Sequence, residues 1–245
     1  MALASGNGAE ASFLQRKLAG LWRLARDPAY RWVKLLAWFG RAGMFQPFSV
    51  TWEDRYPQIF EHVREALGER QDLRLLSFGC ATGEEVFTLR RYFPAARIKG
   101  IDINSAAVAT AREPLAAAPE PRIEFVEGSS VADEAPGTYD AIFCMAVLRD
   151  GRLGSAPPRC DPRLRFADFE RTSADLARAL KPGGLLALRH SNFRFCDTSA
   201  ARDFETGLAV PFPADARSTP IYGPDNRLVP GAVYLDCVFV KRGAF

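Results

Sequence analysis

The sequence contains few histidines and no closely spaced cysteines, and this excludes several kinds of site. Only His62 and His190 are histidines among 245 residues, too few for a histidine-based metal cage. The chain has five cysteines, an odd number, which are scattered along the sequence and include no C-x-x-C pair. This usage is typical of reduced cytoplasmic thiols rather than of a disulfide framework or a zinc site. We therefore predict a cytoplasmic protein without a metal centre.

Long apolar runs and a strong charge imbalance are also lacking. No apolar run in the sequence approaches the ~20 residues of a membrane-spanning helix. The first residues, MALASGNGAEAS, do not have the charged-then-apolar layout of a signal peptide. The formal net charge is only +3, so no overall field favours nucleic acid as a partner.

The sequence pattern divides the chain into two parts, residues 1–68 and 69–245. The first part has helical periodicity, and its tryptophans Trp22, Trp32 and Trp38 stand among arginines and lysines. We interpret it as an N-terminal helical extension that forms a lid or packs on the core. A dimer surface or a membrane-surface contact remain alternatives, and the sequence leaves the oligomeric state open.

In the second part, short apolar strands alternate with helices, which predicts an α/β fold. We expect a Rossmann-like, doubly wound, mostly parallel seven-stranded sheet with both faces covered. Six of its strands are assigned from the apolar runs at 73–78, 97–101, 123–126, 139–145, 185–189 and 233–241. The segment 196–230, which is rich in proline, aspartate and arginine, is expected to be irregular.

The first strand ends in a glycine-rich loop, GCATG at residues 79–83, and Glu84 and Glu85 follow at once. Loops at this place in a parallel sheet bind ligands. A dinucleotide fingerprint would need glycines at 79, 81 and 84, but Ala81 and Glu84 stand at the last two positions. Two carboxylates at a helix start would repel a pyrophosphate and attract a ligand with ammonium character.

S-adenosylmethionine is such a ligand, because it carries an ammonium and a sulfonium group and no phosphate. Asp102 ends the second strand about 20 residues beyond the loop, where an acidic residue pairs with ribose hydroxyls. A dinucleotide-dependent oxidoreductase remains the alternative for a sheet of this type.

Residues 73–190 resemble the core of class I S-adenosylmethionine-dependent methyltransferases. The segments GCATGEEVFTL and YDAIFCMAVL are most similar to CheR-type chemotaxis-receptor methyltransferases, and LKPGG before the fifth strand is common in the superfamily. The resemblance implies that one of Glu84 and Glu85 binds the cofactor ammonium, that Asp102 binds the ribose, and that Ser129 contacts the adenine. The other implied cofactor contacts are Phe78, Gly79, Cys80, Ala81, Gly83, Ile103, Ser130, Cys144, Met145 and Ala146.

Two departures separate the chain from the CheR type. Ala146 stands where that type has asparagine, and its substrate-docking insertion near the C-terminal strands is not recognisable. The fold and cofactor are therefore carried over, but the receptor substrate is not. The sequence after the fourth strand also has no (D/N)PP(Y/F) tetrapeptide of a base pocket, so we predict no nucleic-acid partner.

The candidate substrate residues follow the fourth and fifth strands. His190 could act as a general base, and Asn192 and Arg194 could hold a carboxylate or phosphate of the substrate. Arg149 and Asp150 could also face the substrate. The alternative is a strand-end histidine bonded to main chain, with Arg194 on a solvated loop and with Arg149 and Asp150 in a surface ion pair. Cys80 and Cys144 are interpreted as buried space-filling residues rather than nucleophiles.

The resulting hypothesis is methyl transfer to an oxygen or nitrogen of a small molecule or a modified peptide. A carboxylate acceptor would need no base, whereas a hydroxyl would need one, and His190 is the histidine placed to serve. A CheR-type protein carboxylate methyltransferase and a non-catalytic S-adenosylmethionine-binding protein remain alternatives.

Overall fold

The computed structural model describes residues 44–46, 51–68, 70–211 and 219–243. The helices are α1 Pro57–Leu67, α2 Glu84–Tyr92, α3 Ser105–Ala117 and α4 Phe166–Ala179. The strands are β1 Arg74–Phe78, β2 Arg97–Asp102, β3 Ile123–Glu127, β4 Tyr139–Met145, β5 Leu180–Arg189, β6 Phe204–Ala209 and β7 Asp236–Lys241. The helices expected before residue 44 lie outside the described residues, and no described helix is long and apolar enough to cross a bilayer.

The seven strands form one sheet in the order β3-β2-β1-β4-β5-β7-β6. Strands β1 to β5 are parallel, whereas β7 pairs antiparallel with both β5 and β6. The predicted mostly parallel, doubly wound sheet is thereby confirmed. Strand order reverses at β1, which lies between β2 and β4, and ligands bind beside the carboxyl ends of the strands at such a point.

The core lies on both faces of the central strands. All seven residues of β4 and four of the five residues of β1 are buried. One face is covered by α4 through Phe169 and Leu176. The other is covered by α1, α2 and α3, to which α1 contributes Ile59, Phe60 and Val63. Continuous apolar strands are what a sheet covered on both faces requires.

Helix α1 is part of the sheet's packing, although the sequence pattern assigns it to the N-terminal extension. The chain forms two compact units, residues 1–41 and residues 42–245, and α1 belongs to the second and larger unit. Its amphipathic face is buried because Ile59 and Phe60 pack among the apolar side chains of β1 and β4. This packing brings Tyr56, the residue before the helix, to the carboxyl end of the sheet.

The expectation of an irregular segment over 196–230 is wrong at Phe204–Ala209, which forms β6. Only Phe204 of the six residues is buried, because β6 is an edge strand that pairs with β7 alone. An edge strand that contains Gly207 lacks the apolar alternation that predicts strands. The ladder to β7 therefore determines its conformation rather than its own sequence.

The segment LKPGG, which the sequence pattern places before the fifth strand, forms the first part of β5. Helix α4 ends at Ala179, and Leu180 already pairs with Tyr139 of β4. The next pair is Ala141 with Leu185, so residues 181–184 bulge out of the ladder, with Gly183 at φ +75°. β5 is therefore longer than the expected strand at 185–189.

Candidate functional site

The glycine loop after β1 is folded onto the neighbouring strands. The N–H groups of Gly79 and Cys80 both donate to the Ile101 carbonyl, at 2.7 and 3.0 Å. Gly79 has φ +80°, and a Cβ at this position would lie 2.3 Å from Cγ2 of Val147, in the loop after β4. Both the backbone conformation and the close approach of the two loops therefore require glycine here.

The Asp102 carboxylate at the end of β2 connects the glycine loop to α3. Its Oδ2 accepts the Ala81 N–H and its Oδ1 accepts the Asn104 N–H, both at 2.8 Å. Burial raises the pKa of this carboxyl, and the two N–H donors oppose the shift. Two carboxylate oxygens can accept about four hydrogen bonds, so Asp102 keeps acceptor capacity for hydroxyl groups.

The two glutamates at the start of α2 have different surroundings. Both oxygens of Glu84 accept from the Thr82 hydroxyl at 2.7 Å, which keeps this side chain on the loop. Glu85 Oε1 instead accepts from the Ser77 hydroxyl of β1, also at 2.7 Å. Burial raises the pKa of Glu85 to about 7, although the Ser77 hydroxyl and the charge of Arg55 oppose the shift. Glu85 is therefore the glutamate directed toward the strand ends.

Three non-glycine residues with left-handed backbone lie at the carboxyl end of the sheet. Ala81 in the glycine loop has φ +49°, Ala146 after β4 has φ +61°, and His190 after β5 has φ +55°. They are three of the six non-glycine residues with positive φ that the structure describes. Such conformations cost of order 1–3 kcal/mol each and are concentrated at functional sites.

His190 is partly buried and lies in a positively charged environment. Its ring centroid is 5.8 Å from that of Tyr56. Burial, together with the charges of Arg189, Arg149 and Arg55, lowers the pKa of His190 to about 4. The imidazole is therefore uncharged at neutral pH and is a weak base.

Arg149 and Tyr56 contribute buried polar atoms to the same region. Arg149 Nε and the Tyr56 hydroxyl are both buried without a hydrogen-bond partner among the described residues. The sequence predicted a substrate role for Arg149 but did not single out Tyr56. No local pattern marks Tyr56, since the packing of α1 brings it to the strand ends.

Asn192 and Arg194, the other predicted substrate residues, have their polar groups occupied by the protein. Asn192 is only 1% exposed; its Oδ1 accepts the Asp150 N–H and its Nδ2 donates to the Pro220 carbonyl, both at 2.8 Å. Arg194 donates to the Asp197 carboxylate at 2.8 Å. Both residues therefore hold loops together. Their side chains make no contact with His190, Tyr56 or Arg149 in these hydrogen bonds.

The remaining predicted cofactor residues surround the loops at the same edge of the sheet. Ser129 is partly exposed after β3, and Ser130 is exposed and accepts the Ala132 N–H through its hydroxyl at 3.0 Å. Burial raises the pKa of the Cys80 and Cys144 thiols, which does not suit a nucleophile. Of the others, Gly83 caps α2 at φ +95°, Ile103 is partly exposed, and Phe78 and Met145 are buried.

These side chains fit S-adenosylmethionine. The Glu85 carboxyl complements an ammonium group, and the remaining acceptor capacity of Asp102 complements ribose hydroxyls. The first turn of α2 carries two carboxylates where a phosphate-binding helix would leave its N-terminus open to an anion. Among the described residues, no group of three or more His, Cys, Asp or Glu is arranged to hold a metal ion.

Comparisons with known proteins agree with this chemistry. The family profile described as "Methyltransferase domain" matches residues 76–186. A trans-aconitate 2-methyltransferase from Deinococcus radiodurans is 29% identical over 65% of this chain and 58% of its own length. A ribosomal RNA small subunit methyltransferase C from Hahella chejuensis is 30% identical over 70% and 45%. A 4-amino-L-phenylalanine/4-methylamino-L-phenylalanine methyltransferase from Streptomyces pristinaespiralis is 27% identical over 73% and 66%. The chain thus spans about half to two thirds of the length of these curated relatives.

Proposed function

Since residues 76–186 form a class I S-adenosylmethionine-dependent methyltransferase domain, we propose that this protein methylates an oxygen or nitrogen of a small molecule or modified peptide. One observation carries the proposal. Asp102 holds the glycine loop through the Ala81 N–H, and the Glu85 carboxyl lies beside that loop, bonded to the Ser77 hydroxyl. Relatives named for trans-aconitate and for 4-amino-L-phenylalanine support a small-molecule acceptor.

The relative named for ribosomal RNA is the reason to consider a nucleic-acid acceptor. The segment after β4 reads AVLRD at residues 146–150 and contains no (D/N)PP(Y/F) base-pocket tetrapeptide. The formal charge of +3 also gives the chain little general attraction for polyphosphate. A small acceptor is therefore the proposal that we carry forward.

We assign cofactor contacts to the residues at the carboxyl ends of β1 to β4. Glu85 binds the ammonium group, Asp102 the ribose hydroxyls and Ser129 the adenine, while the main chain at 79–83 approaches the methionine portion. When bound, S-adenosylmethionine supplies a methyl group on a positively charged sulfur, whose departure needs no acid. The chain's own contribution is to align the acceptor with that methyl group and to exclude water.

The test is calorimetric titration of the wild type, Glu85→Gln and Asp102→Asn with S-adenosylhomocysteine and, separately, with NADH. We expect micromolar binding of S-adenosylhomocysteine, weakened at least tenfold (~1.4 kcal/mol) by each substitution. Glu84→Gln is the matched control, because its carboxyl bonds to Thr82 on the loop, and it should change the affinity less than threefold. Absent binding of S-adenosylhomocysteine, or tighter binding of NADH, would refute the proposal.

A further inference from the structure

Two buried hydrogen-bond donors at the carboxyl end of the sheet lack a partner among the described residues. They are the Tyr56 hydroxyl and Arg149 Nε. Buried donors in proteins are nearly always paired, so two such donors in one region at the sheet's carboxyl end point to a group supplied from outside the chain. Burial raises the pKa of Tyr56 to about 12, so the hydroxyl keeps its proton and can donate at neutral pH. The guanidinium group of Arg149 can only donate.

The two donors belong to one compact region. Arg149 follows β4, and His190 follows β5, the neighbouring strand. One hydrogen bond continues the pairing of these strands beyond their last residue pair, since the Ala146 N–H donates to the Arg189 carbonyl at 2.8 Å. The Tyr56 ring contacts the His190 ring, and the Arg55 guanidinium carbon lies 5.1 Å from the Tyr56 ring centroid. Elements far apart in sequence therefore meet at the ends of β4 and β5.

The described charges that act on Tyr56 and His190 are mainly positive. Arg55, Arg149 and Arg189 all exert their charges on both Tyr56 and His190. Arg189 also donates to the Leu235 and Pro211 carbonyls, at 3.2 and 3.3 Å. Glu85 is a carboxyl that also acts on Tyr56, and Asp150 acts on Arg149. The region therefore suits an anionic group beside the cofactor site.

We propose that Tyr56 and Arg149, supported by the charges of Arg55 and Arg189, bind a carboxylate of the acceptor and that this carboxylate oxygen is the atom methylated. The inference rests on the proposed function and adds the acceptor class to it. Two orphan donors match the two oxygens of a carboxylate. A phosphate would bring a second negative charge next to Glu85.

The chemistry of the region favours a carboxylate over a hydroxyl acceptor. A lone pair of the carboxylate oxygen forms the new O–CH3 bond, while the electrons of the breaking S–CH3 bond return to sulfur. The negative charge of the carboxylate and the positive charge of the sulfonium both disappear, and no proton is transferred. A hydroxyl acceptor would release a proton to a base, and the uncharged His190 is a weak one.

Binding is tested on the full chain saturated with S-adenosylhomocysteine, by calorimetry with trans-aconitate as the carboxylate probe. We expect trans-aconitate to bind the wild type, and its trimethyl ester and inorganic phosphate to bind at least tenfold more weakly. Tyr56→Phe and Arg149→Gln should each weaken trans-aconitate binding at least tenfold. Unchanged binding in both variants, or absent binding to the wild type, overturns the proposal.

Matched controls separate recognition from damage to the fold. Tyr222→Phe removes another buried, unpartnered hydroxyl from the core, and Arg171→Gln removes an exposed charge on α4 that pairs with Asp168. Both should bind trans-aconitate like the wild type. The affinity of Tyr56→Phe and Arg149→Gln for S-adenosylhomocysteine should stay within threefold. If the wild type itself does not bind S-adenosylhomocysteine, the proposed function fails, and this outcome is distinct from failure of the carboxylate proposal.

The acceptor atom is tested by transfer from S-adenosylmethionine with a tritiated methyl group. The probes are trans-aconitate and 4-amino-L-phenylalanine, which offers an amine and a carboxylate on one molecule. Methyl esters release volatile tritiated methanol in mild alkali, whereas N-methyl and ether products do not. We expect most of the transferred label to be released. Label retained on 4-amino-L-phenylalanine, or transferred to neither probe, overturns the assignment of the carboxylate oxygen as acceptor.

Discussion

Glu85→Gln is the substitution whose effect on stability follows most directly from the structure. Burial raises the pKa of Glu85 to about 7 from an ordinary 4.5. Between pH 4.5 and about 7, Glu85 therefore stays protonated in the folded state but is ionised in the unfolded state. The stabilisation associated with this group is complete below pH 4.5 and is lost as the pH rises through about 7. At 1.36 kcal/mol per pH unit, the loss is at most about 3.4 kcal/mol.

Glutamine keeps an acceptor for the Ser77 hydroxyl without the buried charge. We therefore expect Glu85→Gln to match the wild type near pH 4.5 and to exceed it by about 1–2 kcal/mol at pH 8, since the half-buried carboxyl keeps some contact with solvent. The measurement is urea unfolding of wild type, Glu85→Gln and Glu84→Gln between pH 4.5 and 8.5. A difference independent of pH, or the same pH dependence for Glu84→Gln, would refute the reasoning.

The same ionisation should control ligand binding. If Glu85 binds the ammonium of S-adenosylhomocysteine, the affinity of the wild type rises as the pH increases through about 7. The affinity of Glu85→Gln should stay lower and lack this rise. The variant would then be more stable but bind less tightly, which is the exchange of stability for function expected at a binding site.

Three further outcomes test other parts of the structure. Gly79→Ala should lower the free energy of unfolding by about 1–3 kcal/mol, and adding Val147→Ala should recover part of it, because the new Cβ would meet that side chain at 2.3 Å. Asp140 is 2% exposed, and the Lys181 ammonium and other donors lower its pKa against the effect of burial. Asp140→Asn should therefore cost about 1–3 kcal/mol in urea unfolding at neutral pH, and less as the pH falls below its unfolded pKa. Alkylation of the folded protein followed by mass spectrometry should modify the exposed Cys196 first, and early labelling of a buried cysteine would contradict the packing.

The sequence predicts the parts of the site that lie within a short stretch of chain. The glycine loop follows β1 directly, and Asp102 ends the adjacent strand, so alternation of strands and helices is enough to bring them together. The same pattern predicts the parallel core of the sheet. It does not predict β6, because an edge strand with one buried residue has almost no apolar signal.

Contacts between distant segments could not be predicted in this way. Tyr56 reaches the strand ends only because Ile59 and Phe60 of α1 are buried against the sheet. The amide of Asn192 is occupied because Pro220, 28 residues later, packs beside it. Which glutamate binds the cofactor depends on the hydroxyl that each side chain reaches, Thr82 for Glu84 and Ser77 for Glu85. The local sequence does not determine these two contacts.

His190→Asn tests whether the imidazole acts as a base. Asparagine tolerates the left-handed backbone at φ +55°, so the substitution removes the ring while keeping the turn after β5. General-base catalysis contributes about 10²–10⁴-fold to a rate. Because a carboxylate acceptor has no proton to lose, we expect kcat with trans-aconitate to fall less than tenfold. The wild-type rate should also show no inflection from this group near pH 6.5, since its pKa is lowered to about 4. A hundredfold loss in kcat, or an inflection near pH 6.5 that the substitution abolishes, would refute this reasoning and show that His190 takes part in catalysis.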